Sequence, residues 1–166
     1  MIMDLRDLQP GDVLNSIADP KMLLHGPIAW GTDNPFVHTA MFEQGLVSIS
    51  ALLDGVQRRP LEQWDRFMLV TRHPSPTTAA LALAAVSNLV GVPYDLIGLA
   101  GNTIEAITGA DMPDTDNRRL ICARLIVEAF ATAGVEIMPG VKYPNVTPRD
   151  IVENSTLETV GYLRVR

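Results

Sequence analysis

A chain of 166 residues with 47% apolar and 19% charged side chains can bury one core, and a single domain over residues 1–166 is expected rather than disorder. Its 13 Lys and Arg against 19 Asp and Glu leave a net charge of −6, which excludes the clustered basic surface that tracking a nucleic-acid backbone requires. No apolar run approaches the ~20 residues of a bilayer span, and the amino terminus lacks a basic segment followed by an apolar one. Synthesis in the cytoplasm is therefore expected, with a phage or contact-dependent export route left open.

In chain order, Pro10-Gly11 turns the backbone into a short extended run ending at Asn15, the first predicted strand. Residues 16–35 read as loop, with an apolar patch at Met22-Leu23-Leu24 and turn residues Gly31, Asp33, Asn34 and Pro35. Phe36 to Phe42 and Leu46 to Ala51 flank Glu43-Gln44-Gly45, the length and glycine content of a β-hairpin. Arg59 to Trp64 suggests a turn and a short helical element, and Phe67 to Thr71 a third strand. Thr77 or Thr78 can cap an alanine-rich helix over Ala79 to Val90, stopped by Gly91 and Pro93.

Tyr94 to Leu99 reads as a short helix, and Gly101 to Asn117 as an acidic loop or lid. Beyond it, Cys122, Leu125, Ile126, Ala129, Phe130 and Ala133 follow the spacing of a buried helical stripe, with Gly134 as its stop. That spacing turns Cys122 inward, toward the strands. Thr147 and Pro148 start another short helix as cap and first residue, and Thr159 to Val165 closes the chain as a strand.

Cys122 is the sole cysteine, so an internal disulfide and a multi-cysteine metal site are both excluded. Three roles remain: a small buried hydrophobe, an intermolecular crosslink, or a nucleophile served by a base. His38, in the β-like run Phe36 to Phe42, is the candidate base, since a helix packed across that strand would bring imidazole and thiol together. His25, His38 and His73 have no metal-ligand spacing, and no metal or cofactor is expected. Trp30 and Trp64 can line a groove or fill a core. Asp12 shapes the turn after Gly11.

The order of short motifs is more informative than any one of them. Gly11-Asp12-Val13, Val37-His38, Ser50-Ala51 through Val56 with Pro60-Leu61, Tyr94-Asp95, Ile121-Cys122-Ala123-Arg124-Leu125 and Thr147-Pro148-Arg149-Asp150 follow one another. This order resembles the circularly permuted NlpC/P60 cysteine hydrolases, in their YiiX/YebB-like branch, over residues 8 to 165. The resemblance implies a papain-like α+β fold, an antiparallel sheet or half-barrel packed against the cysteine-bearing helix.

It further implies Cys122 as nucleophile, His38 as general base, and Ser50 as the residue orienting the imidazole where relatives commonly carry an acid. Ser48 is the fallback on the same strand face. A serine can accept the imidazole N–H but adds no charge to stabilise an imidazolium. Asn15 and the Cys122 backbone N–H could line an oxyanion site, and with Asn15 the substrate-binding candidates are Trp30, as a groove aromatic, and Tyr94, which with Asp95 can also lock a loop. The implied reaction is amide cleavage through a thioester acyl-enzyme, on a peptidoglycan peptide. A lipid or thioester acyl hydrolase or acyltransferase is the alternative on the same fold, favoured if Met22, Leu23, Leu24 and Leu96 line an apolar tunnel. A catalytically inert binding module is the third.

Overall fold

The computed structural model describes residues 1–17, 35–52, 54–63, 67–93, 122–140 and 146–165. Trp30, Trp64, Tyr94, the 94–99 helix, the 101–117 lid and the apolar patch at 22–24 lie outside these residues.

The described elements are β1 (Ile2–Met3), a 3₁₀ turn (Leu5–Asp7), β2 (Val13–Ile17), β3 (Phe36–Gln44), β4 (Val47–Leu52), β5 (Gly55–Pro60), a 3₁₀ turn (Leu61–Gln63), β6 (Phe67–Arg72), α1 (Pro76–Asn88), α2 (Cys122–Thr132), α3 (Pro148–Val152) and β7 (Glu158–Arg164). The strands form one seven-stranded mixed sheet in the order β1-β7-β6-β2-β3-β4-β5. Every neighbouring pair is antiparallel except β1 with β7. The fold is α+β, as the sequence suggests.

Two strands escaped the sequence reading. β1 has two residues, and β5 contains Arg58-Arg59-Pro60, a polar stretch with a proline that only a sheet edge tolerates. The expected cap of α1 also moves: Ser75, not Thr77 or Thr78, accepts the Thr78 N–H, and Pro76 is the first helical residue. The Pro-Ser-Pro run that ends β6 thus also starts the helix. Thr147 caps α3 as expected, in a reciprocal pair with Asp150.

Sheet alternation divides the core into two layers. Val13, Met41, Ile49, Ala51 and Val56 project to the face covered by the helices, where they pack with Ala82 and Val86 of α1, Leu125, Ile126 and Phe130 of α2, and Ile151 of α3. Their neighbours Leu14, Ala40, Phe42, Met68, Val70 and Leu163 project to the opposite face, against Met3, Leu8 and Leu61. Because both faces are covered, β2 is buried residue after residue from 13 to 16 and β3 from 38 to 42. Close packing of α1 on β2 requires Gly11: its φ is 92°, and a Cβ there would stand 2.7 Å from the Ala79 carbonyl oxygen.

Candidate active site

Cys122 is the first described residue of α2 and is buried, with 6% of its surface exposed. The helix holds it against β3 because Leu125, Ile126, Ala129 and Phe130 on the same stripe fill the layer above Met41 and Ile49. Ala123 and Val127 are buried as well, since α1 packs on α2. Arg124 is buried too and pairs with Glu128 one turn on, at 2.8 Å.

Thr39 is the strand residue at the sulfur. It shares the helix-facing side of β3 with Met41 and is fully buried. The Thr39 backbone N–H and hydroxyl, with the N–H groups of Ala123 and Cys122, favour a charged sulfur; burial outweighs them, and the thiol pKa is pushed up. The sheet explains why the Thr39 N–H is available. Phe42 exchanges its main-chain bonds with Gly11 and Asp12 on the β2 side, so alternation directs the N–H groups of Met41 and Thr39 toward β4. The β3–β4 register runs only as far as Met41 opposite Ile49. Beyond that pair no further β3–β4 partner is paired with Thr39, so its N–H is left over from the ladder on the side from which it favours charge on the sulfur.

His38 lies one residue away on the other face. It is paired with Ser16 on β2, and its alternation partners Ala40 and Phe42 belong to the layer away from the helices. Ser48, opposite Phe42, and Ser50 share that face. The strands therefore bring His38 and Ser50 to one side of the sheet and Cys122 to the other. The Ser50 hydroxyl makes no hydrogen bond among the described residues, so the expected Ser50–imidazole bond is not formed in this arrangement. The neighbouring backbone is irregular: Ser16 pairs with His38 and Ile17 with Phe36, which leaves Val37 as an extra residue in β3.

Asn15 stands directly across from Thr39, on the helix-facing side. Its amide nitrogen is directed at the Leu69 carbonyl (3.2 Å), the Thr71 hydroxyl (3.2 Å) and the Val13 carbonyl (3.4 Å). Flipping the amide would set its oxygen against two carbonyl oxygens, so the orientation is determined. Both donors are spent, and only the acceptor Oδ1 is left without a partner. In this arrangement Asn15 therefore has no donor left over for the oxyanion role expected of it, since an oxyanion needs a donor. Thr39 supplies donors at this place, and the sequence does hold its signal: any strand face that offers Met41 to the helix offers Thr39 as well.

The His73 ring lies 5.7 Å from that of Phe130, and its Nδ1 accepts the Ser75 N–H at 3.0 Å. Among the described residues, no three His, Cys, Asp or Glu side chains are grouped so as to hold a metal ion. No helix among them is long and apolar enough to cross a membrane.

Neither the protein-family models nor the curated proteins contain a match to this chain. Among solved structures it is similar to the metalloprotein yiiX from Escherichia coli O157:H7 (DUF1105), with a TM-score of 0.66 at 16% identity over 92% of this chain and 96% of that one. The likeness spans nearly both chains and shows a shared α+β fold, consistent with the YiiX-like branch suggested by the motif order.

Proposed function

We propose that this protein is a papain-like cysteine hydrolase of the circularly permuted NlpC/P60 type, cleaving an amide bond in a peptidoglycan peptide. The observation that carries this reading is the position of Cys122, at the described start of α2 with three backbone N–H groups acting on its sulfur, beside the strand that bears His38. The fold shared with yiiX supports the expected architecture.

The chemistry follows from those groups. His38 takes the thiol proton, the sulfur adds to the substrate carbonyl, the amine leaves with the proton returned by His38, and water hydrolyses the thioester. For this His38 must face Cys122. If the extra residue of β3 is His38 rather than Val37, the ring joins Thr39 on the side of Asn15, since both residues of a bulge face the side of the one they oppose. That one-residue move leaves Met41 and the rest of the strand in register.

Purified peptidoglycan incubated with the protein should yield new amino termini, and Cys122→Ala and His38→Ala should each lower the yield at least a hundredfold. Equal release by Cys122→Ala and the parent would sink the hydrolase. A second reading, an inert binding module on the same fold, is favoured by the burial of the thiol and by the opposite facing of His38. It predicts peptidoglycan retention by the protein with no new termini in any variant.

A further inference from the structure

We propose that Thr39 is a further residue of the site, with its hydroxyl and main-chain N–H forming the donor wall that holds negative charge on the Cys122 sulfur. Three observations converge on it. Thr39 is completely buried, on the sheet face that α2 covers, so its hydroxyl has no water to satisfy it. That hydroxyl has no hydrogen bond of ordinary geometry among the described residues, yet it is one of the groups that favour charge on the sulfur, so its donor is held by nothing else. Its N–H points to the side where the β3–β4 ladder has ended, and is not consumed by a strand partner.

Among the described residues, the polar strand groups on the sulfur's side of the sheet include Thr39 and, across from it, Asn15, whose donors are spent on Leu69 and Thr71. From α2 come the N–H groups of Cys122 and Ala123. A neutral thiol is a weak acceptor and asks little of these donors. A thiolate draws the Thr39 hydroxyl into a charge-assisted hydrogen bond, roughly twice as strong as a neutral one. Thr39 is thus a positioning and charge-stabilising residue that acts through Cys122.

This deepens the hydrolase reading by assigning the group that steadies its nucleophile, but the test does not depend on turnover. The sole cysteine can be titrated by its thiolate ultraviolet absorbance, as a difference against Cys122→Ser, in the parent, Thr39→Val and Thr39→Ser. Valine keeps the shape and the N–H but removes the hydroxyl; serine restores it. The expected result is a thiol midpoint about one to two units higher in Thr39→Val, with alkylation by iodoacetamide about tenfold or more slower at a fixed pH below the midpoint. Thr39→Ser should return both to the parent values. An unchanged midpoint in Thr39→Val, or a serine variant that behaves like valine, overturns the proposal. Should Thr39→Val fail to fold by circular dichroism, Thr39→Ala serves in its place with the same expected shift. Failure of peptidoglycan cleavage with a shifted midpoint would reject the hydrolase and leave Thr39 in its role.

Discussion

Strand β2 carries a polar group at each end, and the two ends are built on opposite principles. At its start Asp12, 1% exposed, takes Arg72 Nε at 2.6 Å and Nη2 at 2.8 Å, and also the Gln9 N–H at 2.8 Å. Arg72 binds the Asp7 carbonyl as well, and the neighbouring carboxylate raises its pKa further. Both oxygens of the Asp12 carboxylate have partners there. At the other end Asn15 Oδ1 and, across from it on β3, Thr39 Oγ1 are buried with none among the described residues, on the sheet face that carries the buried thiol. A satisfied cluster fixes the fold. Unpartnered buried polar atoms on the face of Cys122 cost stability, the kind of cost that the proposed site would carry.

The largest test of that contrast removes the carboxylate from the satisfied end. Asp12→Ala leaves Arg72 in a partly buried place with its partner gone, and should lower the unfolding free energy by about 3 kcal/mol in a urea titration. A loss below about 1 kcal/mol would mean that the pair is only a surface contact.

Next in size is a pH effect confined to the site end. Burial raises the thiol pKa in the folded chain, so the folded state keeps its proton at pH values where the unfolded chain has released it. The contribution of Cys122 is therefore fully present below about pH 8.5 and declines above it, by up to about 1.4 kcal/mol per pH unit, until the folded thiol titrates. Urea midpoints measured from pH 7 to 10 should fall less steeply for Cys122→Ser. Parallel curves would mean the thiol is not desolvated.

The smallest expected effect has the opposite sign to the first. Thr39→Val replaces an unpaired buried hydroxyl with a methyl group, and should raise stability by about 1 kcal/mol in the same titration at pH 7, where the thiol is neutral. Destabilisation would show that the hydroxyl already has a structural partner, and the contrast between the two ends would lose its sharper half.

Much of this molecule can be read from local patterns. The helical stripe from Cys122 to Phe130 is buried as its spacing predicts, Thr147 and Pro148 start α3, and Glu43-Gln44-Gly45 lies in the β3–β4 hairpin, whose turn holds Gly45 at φ 57°. Strand β5 was missed because an edge strand needs no apolar alternation. The Asp12–Arg72 pair was missed because its partners are 60 residues apart, and nothing local in Arg72 points to Asp12.

The sequence by itself determined most of the elements and that the stripe of the cysteine helix turns Cys122 toward the sheet. Only the tertiary structure decided which side of that strand each residue takes. Phe36-Val37-His38-Thr39-Ala40-Met41-Phe42 feeds two cores at once, Ala40 and Phe42 to one and Met41 to the other, so no apolar-polar alternation marks a buried side. Facing was then set by where α2 packs and by the extra residue at Val37, both products of contacts distant in sequence. That is why the sequence pointed to His38 as the neighbour of Cys122, and the packed molecule put Thr39 there.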